Sequence, residues 1–235
     1  MTRRMVLVLL PLELLLLSVL VVCLVLMGMQ LSEAPSAAAA VISDRAAPAS
    51  VAKSAPASPG DSASAAPAPE LSPVFTPEVQ HWASKITAWA AEYQLDPQLV
   101  ATVMQIESCG NPKVLSPSGA QGLFQVMPYH FATGDDMLDP DTNAARGLAY
   151  LSLGLQRAGG NAGLALAGYN GGHSLIGLAS SLWPAQSKRY WYWGTGIYQD
   201  ALSGEASSSR LQEWLAAGGA SLCTRAAQQL AAASN

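Results

Sequence analysis

Glu107 is the residue of this chain whose position best suits acid–base chemistry. It ends an apolar helical segment, Gln98–Ile106, and a Cys-Gly-Asn-Pro helix stop follows within residues 109–112. Apolar neighbours and the negative end of the helix dipole both favour the protonated carboxyl, so both raise its pKa. A general acid that works near neutral pH needs such a raised pKa. A glutamate at a helix end is also commonly a solvated surface residue, so the neighbouring residues must decide between the two interpretations.

Three runs of residues follow each other in an order typical of one enzyme family. Residues 107–112 are Glu-Ser-Cys-Gly-Asn-Pro, residues 116–128 are Ser-Pro-Ser-Gly-Ala-Gln-Gly-Leu-Phe-Gln-Val-Met-Pro, and residues 167–172 are Ala-Gly-Tyr-Asn-Gly-Gly. These runs resemble the signature of the soluble-lytic-transglycosylase family, and the resemblance covers about Pro77 to Tyr198. The helix that the family places between the second and third runs is matched by Asp139-Pro140, Asn143, Gly147, Tyr150 and Leu151.

The resemblance implies a mainly α, lysozyme-like fold with a small loop or β-hairpin region, acting on the glycan strands of bacterial peptidoglycan. Such enzymes cleave the β-1,4 bond between N-acetylmuramic acid and N-acetylglucosamine and leave a 1,6-anhydromuramoyl end instead of adding water. Carried over by position, Glu107 is the single catalytic acid/base. The residues that the resemblance and the local sequence assign to substrate binding are Ser116, Gln125, Met127, Tyr169, Asn170 and Tyr190. We predict no cofactor and no metal.

Two other functions are compatible with the same residues: a goose-type-lysozyme-like hydrolase and a non-catalytic glycan-binding domain. No acidic residue lies between Glu107 and Asp135, so the motif loop offers no second carboxylate. The family often carries Glu-Thr-Arg-x-Tyr after its Tyr-Asn motif, whereas this chain has Gln186 at the first of these positions and keeps Tyr190 at the last. An amide therefore replaces the usual acid. The choice between endo and exo action stays open.

Two further groups of residues have alternative interpretations. Asp139, Asp141 and Asn143 imitate the start of a calcium-binding EF-hand loop, but the later glycine and glutamate of that loop are missing, so we expect helix capping instead. In an oxidising compartment Cys109 and Cys223 could form a disulfide bond, which we favour over two independent buried thiols.

Helix signals recur from residue 76 onward. Thr76-Pro77, Asp96-Pro97 and Asp139-Pro140 each combine an N-cap with a proline at the first helical position. They predict one helix from residue 77 to 93, a second that stops near Gly110, and a third that ends at residues 159–160. Shorter helices are predicted over 161–169, 174–182, 186–202, 208–217 and 220–233, with a loop or small hairpin over 113–128.

Composition divides the chain into a transmembrane anchor (1–31), a disordered linker (32–73) and a catalytic domain (74–235). Of the 42 residues in the linker, 15 are Ala, 9 are Ser and 7 are Pro, and all aromatic residues lie at or beyond Phe75. Such a linker cannot bury enough apolar area to offset its conformational entropy. The mildly acidic net charge of −4 argues against nucleic acid as a partner.

The amino terminus has the pattern of a membrane-spanning helix. Arg3 and Arg4 precede the apolar run Met5–Met29, which is long enough to cross a hydrocarbon layer of about 30 Å. The positive-inside rule then places the N-terminus in the cytoplasm and the remainder of the chain outside the cell membrane. A signal peptide cut near residues 32–34, with secretion of the rest, is the alternative.

Overall fold

The computed structural model describes residues 70–233, and within them the fold is mainly helical. The α-helices are α1 (Pro77–Gln80), α2 (Ala83–Glu92), α3 (Pro97–Glu107), α4 (Pro140–Arg157), α5 (Ala162–Gly171), α6 (Ala185–Leu202), α7 (Ser209–Trp214) and α8 (Ala220–Ala233). Short 3-10 helices lie at Pro128–His130, His173–Gly177 and Ser180–Leu182, and a kinked turn at Leu215–Gly219, in which Gly218 has a φ of +125°, joins α7 to α8.

Helix α3 forms the centre of the packed domain. Asp96 caps it by accepting a hydrogen bond from the backbone N–H of Gln98, and Pro97 occupies its first turn. Every residue from Gln98 to Gln105 is buried, so this helix has no solvated face. Helices α2 and α6 pack against it, and α6 also packs against α5, which in turn packs against α4. The catalytic candidate Glu107 is thereby placed at the last helical position of the most buried element.

Two of the predicted helices are broken. The predicted helix over 77–93 divides at His81 and Trp82 into α1 and α2. At this break the Trp82 indole donates a hydrogen bond to the Gly110 carbonyl, 2.9 Å away. Thr76 precedes α1 but makes no side-chain cap, since its hydroxyl lies 3.2 Å from Cys109 Sγ.

The predicted helix over 174–182 is instead two 3-10 turns. The Trp183 indole N–H donates to the carbonyls of Leu175 and Leu178, at 3.0 and 3.2 Å, and so ties the two turns together.

The segment 113–128, predicted to be either a loop or a small hairpin, is a loop. Its only β pairings within the described residues are two isolated bridges, Leu115 with Gln121 and Gln121 with Val126. The other predicted helices are present within a few residues of their expected ends, including the stop of α3 before Gly110, whose φ is +81°.

Packing of the domain begins before residue 74. Val74 and Phe75 are buried, and Ser72 is held from both sides: its N–H donates to Gln98 and its carbonyl accepts from Gln80. Residues 71–73, which composition assigned to the linker, are therefore part of the packed structure.

The structure joins Cys109 to Cys223 by a disulfide bond across a sequence separation of 114 residues. This bond fastens α8 to the turn that directly follows Glu107.

No helix within residues 70–233 is both long and apolar enough to span a bilayer. The apolar run Met5–Met29, and with it the predicted anchor, lies outside the described residues.

Candidate active site

A cleft of about 440 Å³ opens beside the end of α3, and Glu107 lies in its wall. The loop 116–127 forms one side of this cleft, and the ends of α5 and the start of α6 contribute to the other. The residues expected to bind substrate meet here, with one exception. Ser116, Gln125, Met127, Tyr169 and Asn170 all line the cleft together with Glu107.

The Glu107 carboxyl has partial contact with solvent in the cleft and is otherwise enclosed by protein. Burial disfavours the carboxylate and raises its pKa to about 8. The expected direction of this shift is confirmed, and loss of hydration is its main cause. At neutral pH the carboxyl therefore holds the proton that a general acid must donate.

The turn after Glu107 is fixed to the loop that faces it. The buried Ser108 hydroxyl donates a hydrogen bond to the Leu123 carbonyl at 2.7 Å and accepts one from the backbone N–H of Gly110 at 3.1 Å. This residue, the second of the Glu-Ser motif, holds the loop against the end of α3. Ser108 is fully buried and is not among the residues that line the cleft.

Asn143 holds the same loop from α4. Its Nδ2 donates to the carbonyls of Gln121 and Met137, while its Oδ1 accepts from the backbone N–H of Phe124. Gly122 permits this approach, because a Cβ there would lie 2.6 Å from Asn143 Nδ2, and its φ of +73° also suits glycine. Asn143 is thus a structural residue of the loop.

The other two residues of the EF-hand resemblance also have structural partners. The Asp139 side chain caps α4 by accepting from the backbone N–H of Thr142 at 2.8 Å. Asp141 binds the Lys85 ammonium at 2.7 Å and the Trp89 indole N–H at 2.9 Å. Helix capping by Asp139 is therefore confirmed.

The Tyr-Asn motif lies in the last turn of α5, directly opposite the loop. The Tyr169 hydroxyl donates a 2.7 Å hydrogen bond to the Phe124 carbonyl, and Asn170 accepts one from the Ser187 hydroxyl. Burial and the neighbouring Glu107 raise the pKa of Tyr169 well above its usual value, so its hydroxyl stays neutral. Gly147 on α4 leaves the space for this contact, because a Cβ there would lie 3.0 Å from Tyr169 Oη.

Ser116 and Gln125 are partly committed to shaping the loop. The Ser116 hydroxyl accepts from the backbone N–H of Ala120, and Gln125 Nε2 donates to the carbonyls of Val114 and Gly122. Gln125 adopts a φ of +46°, a conformation that few residues other than glycine adopt. The loop is therefore held in shape by the same polar side chains that face the cleft.

Comparison with known proteins bears directly on this arrangement. A family model described as "Transglycosylase SLT domain" matches residues 84–191, from the start of α2 to the first turns of α6. Residues 84–191 form a transglycosylase SLT domain. The matched region contains Glu107, the loop and the Tyr-Asn motif.

Among curated relatives of this SLT domain, a transglycosylase of Enterobacteria phage PRD1 is 40% identical over 114 residues, covering 46% of this chain and 40% of the relative. An endo-type membrane-bound lytic murein transglycosylase A of Klebsiella pneumoniae is 37% identical over 27% of this chain and 37% of its own length. The chain spans less than half of each of these relatives. The solved structure of lytic transglycosylase Slt from Pseudomonas aeruginosa, an inactive mutant, is similar with a TM-score of 0.43 and 23% identity, over 54% of this chain and 25% of that one.

One predicted site residue of the SLT domain does not line the cleft. Tyr190 is 5% exposed and its side chain lies beside the Glu107 carboxyl. Attraction between its hydroxyl and the carboxylate lowers the pKa of Glu107, against the larger effect of burial. Tyr190 Oη has no hydrogen-bond partner of ordinary geometry among the described residues, so this interaction is weak.

Several lining residues were not assigned to the site from the sequence. They are Ser118, Ala120, Val126, Tyr129, His130, Gly147, Tyr150, Gly171, Gly172 and Gln186. Tyr129 and His130 directly follow the Met-Pro end of the loop motif, and this adjacency was the available signal. Gln186 places an amide in the cleft at the position where the family often has an acid.

Proposed function

We propose that this protein is a peptidoglycan lytic transglycosylase with Glu107 as its single acid/base. The observation that carries the proposal is that Glu107, with a pKa of about 8, is the one carboxylate among the described residues that line the cleft. Most glycosidases need two carboxylates, whereas substrate-assisted enzymes need only one. The PRD1 and Klebsiella relatives, both named transglycosylases, support the same reaction class.

The proposed reaction uses one carboxyl group in both directions. Protonated Glu107 donates its proton to the oxygen of the β-1,4 bond between N-acetylmuramic acid and N-acetylglucosamine. The N-acetyl group of the muramoyl sugar stabilises the positive charge that develops at C1. The Glu107 carboxylate then removes the proton of the C6 hydroxyl, whose oxygen closes the 1,6-anhydro ring. Glu107 ends in its starting protonation state.

The other site residues hold the substrate in this proposal. Ser116, Gln125 and Asn170 supply polar groups to hydroxyl and acetamido groups, and Met127 packs against a sugar face. Tyr169 presents a neutral hydroxyl near the catalytic carboxyl, and Tyr190 contributes from behind it by adjusting its pKa.

Product analysis tests the proposal. Purified murein sacculi are digested with the full-length wild-type protein and with Glu107→Gln, and the soluble fragments are weighed by mass spectrometry. A lytic transglycosylase releases fragments with anhydromuramoyl ends, each one water lighter than the product of a hydrolase. The variant is expected to release none. Reducing-end products would show a goose-type-lysozyme-like hydrolase, and absence of release by the wild type would show a binding domain.

We further propose that the protein is anchored in the cell membrane by the apolar run Met5–Met29, with residues 32–70 as a tether to an extracytoplasmic catalytic domain. The support is the length of the run, the arginines before it and the membrane-bound name of the Klebsiella relative. Alkaline extraction of membranes tests it: an anchored chain stays with the lipid and keeps its N-terminal residues. A secreted chain is released and lacks them.

A further inference from the structure

A second groove, of about 710 Å³, lies apart from the catalytic cleft. Its lining residues come from the start of α5, from the 3-10 turns that precede α6 and from one face of α6. The cleft instead takes residues 169–171 at the end of α5 and Gln186 in the first turn of α6. No described residue lines both, so a partner bound in the groove does not occupy the cleft.

Exposed apolar side chains are concentrated at this groove. Among the described residues eight large hydrophobic side chains are exposed, and five of these lie between residues 178 and 202: Leu178, Leu182, Trp191, Tyr192 and Leu202. Leu178, Trp191 and Leu202 line the groove, and Leu182 directly precedes the lining residue Trp183. Such a cluster of exposed apolar side chains marks a contact surface for another molecule.

Packing behind the groove holds this surface in shape. The buried Trp183 indole N–H donates to the Leu178 carbonyl at 3.2 Å, and its ring lies edge-on to Trp191 with centroids 6.1 Å apart. Trp191, Tyr198 and Leu202 recur at helical spacing along α6, so the lining face of this helix is about 16 Å long at a rise of 1.5 Å per residue. The exposed side chains therefore lie on one preformed surface.

Basic residues border the apolar side chains. Residues 142–199 contain no Asp or Glu but four basic residues, although the whole chain has a net charge of −4. Two of the four, Lys188 and Arg189, are exposed on α6 in the turn before Trp191. The Lys188 ammonium donates to the Ser181 carbonyl at 2.8 Å, which places it next to the exposed Leu182.

Two carboxylates that adjoin the groove are engaged by neighbouring hydroxyls. Asp96 interacts with the hydroxyl of the lining residue Tyr198, and burial together with this interaction raises the pKa of Tyr198 to about 12. Asp200, next to the lining residue Gln199, accepts a hydrogen bond from the Ser208 hydroxyl. The surface therefore offers mainly apolar and basic groups to a partner.

This combination of side chains favours a lipid bilayer as the partner. Leucine, tryptophan and tyrosine bordered by lysine and arginine are typical of surfaces that lie at a membrane interface, and anionic headgroups attract the basic residues. The proposed anchor Met5–Met29 also brings a bilayer within reach, because 40 residues, 30–69, separate it from the described domain. Such a tether keeps the local concentration of the bilayer high, so a weak contact is sufficient.

We propose that this surface docks the domain on a lipid bilayer that carries anionic headgroups. Leu178, Leu182 and Trp191 enter the boundary between headgroups and acyl chains, while Lys188 and Arg189 contact the phosphate groups. The contact fixes the orientation of the cleft relative to the bilayer. The inference uses the proposed anchor for the nearness of the bilayer, and it is independent of the reaction proposed for Glu107.

Quenching of tryptophan fluorescence by brominated lipids tests this contact. All six tryptophans lie at or beyond Trp82, and the run Met5–Met29 contains none, so the signal reports on the domain and not on the anchor. Trp191 is 39% exposed, and the other five are buried or half-buried. Full-length protein is incorporated into nanodiscs of phosphatidylglycerol and phosphatidylcholine with brominated acyl chains. Unbrominated nanodiscs of the same composition give the reference intensity.

We expect the wild type to be quenched by the brominated lipids. Trp191→Phe keeps an aromatic ring and should remove most of the quenching, because this indole enters the lipid. Leu178→Ser/Leu182→Ser should lower the ratio of docked to undocked domain by roughly 10-fold. Leu115→Ser/Leu153→Ser is the matched control, since it removes two exposed leucines that do not line the groove, and it should be quenched like the wild type.

The basic residues are tested in the same nanodiscs. Lys188→Gln/Arg189→Gln should lower the docked ratio by roughly 5-fold for each charge removed when anionic lipid is present. The same variant should behave like the wild type in nanodiscs of phosphatidylcholine alone. Lys113→Gln/Arg225→Gln removes two exposed basic residues elsewhere and is expected to dock like the wild type in both lipids.

Wild-type fluorescence that is equal in brominated and unbrominated nanodiscs overturns the proposal. Full quenching of Leu178→Ser/Leu182→Ser or of Trp191→Phe also overturns it, because another face would then make the contact. Quenching of Lys188→Gln/Arg189→Gln equal to that of the wild type in anionic nanodiscs overturns the preference for anionic lipid. Thermal unfolding like that of the wild type shows that each variant keeps its fold.

The two earlier proposals are judged by other measurements. Alkaline extraction decides the anchor, and the products released from murein decide the role of Glu107. If the chain has no anchor, the protein is mixed with preformed nanodiscs, and the same results support or overturn the docking surface. A wild type that releases no anhydro fragments leaves the quenching result as it stands.

Discussion

The protonation of Glu107 is set by its surroundings, and this makes activity depend on pH in a defined direction. In the proposed reaction the first step needs the protonated carboxyl, whose pKa is about 8. We expect kcat/KM on purified murein to fall tenfold per pH unit above about pH 8. Initial rates across this range, measured with separately confirmed enzyme stability, test the position of the basic limb.

Tyr190→Phe gives a second test of this pH profile. The Tyr190 hydroxyl lowers the pKa of Glu107, so its removal should move the basic limb to higher pH. A basic limb that stays near the usual pKa of a glutamate, far below pH 8, would contradict the assignment of Glu107 as the acid.

The same shift in pKa costs stability. The pKa of Glu107 is about 8 in the folded protein against 4.5 for an ordinary glutamate, so the folded state binds this proton more tightly. Both states are protonated at acidic pH, where there is no penalty. The free energy of unfolding then falls as pH rises from about 4.5 to about 8, the window between the two values.

Glu107→Gln removes this titration and keeps the shape of the side chain. We expect the variant to be more stable than the wild type at pH 8 by about 1–3 kcal/mol, with the difference vanishing near pH 4. Urea unfolding at the two pH values measures it. If the free energies of unfolding of the variant and the wild type differ by the same amount at pH 4 and pH 8, Glu107 is not held neutral by the fold.

At the scale of elements, Gly147 lets α4 approach both the loop and the end of α5 closely, because it has no side chain. A Cβ at Gly147 would lie 2.7 Å from Phe124 Cβ and 3.0 Å from Tyr169 Oη. Alanine normally stabilises a helix interior by roughly 1 kcal/mol over glycine. Here we expect the opposite sign, with a loss of about 1–3 kcal/mol from overpacking.

Gly147→Ala should also lower activity, because Tyr169 must move away from the Phe124 carbonyl. Thermal unfolding and murein digestion measure the two effects. Gly177→Ala is a suitable control, since a Cβ there meets no atom within 4 Å. If Gly147→Ala is as stable as the wild type, α4 and α5 can move apart without loss of free energy of unfolding, and the prediction is wrong.

Local signals were sufficient to predict most helices but not their interruptions. Asp96-Pro97 and Asp139-Pro140 start α3 and α4 as predicted, because an N-cap acts within its own first turn. The break at Trp82 coincides with an indole hydrogen bond to Gly110, 28 positions away, and the two 3-10 turns before Trp183 coincide with indole hydrogen bonds to Leu175 and Leu178. A helical hydrophobic pattern contains no information about such acceptors.

At the scale of the whole molecule, the Cys109–Cys223 disulfide bond links two residues that lie 114 positions apart in the sequence. Closing a loop of on the order of a hundred residues reduces the entropy of the unfolded chain, and loss of such a bond typically costs about 2–5 kcal/mol. We expect Cys109→Ala/Cys223→Ala to lose that much stability. A thiol reductant should destabilise the wild type but leave the double variant unchanged.

A free-thiol count on unreduced protein checks the same bond. Reaction of both Cys109 and Cys223 would show that the native protein lacks it. Because the bond lies at the turn after Glu107, digestion of murein by the double variant also reports whether the turn stays in place without it.

The sequence by itself determined the position of the candidate acid Glu107, the family motifs, the helix starts and the Ala/Ser/Pro-rich composition before the domain. Each of these is a matter of residue identity or of contacts within a few positions along the chain. The tertiary structure decided the burial that raises the pKa of Glu107, the place of Tyr190 beside it and the contact of Tyr169 with the Phe124 carbonyl. These depend on segments that are far apart in sequence, and only packing brings their atoms close enough to exclude water and to form hydrogen bonds.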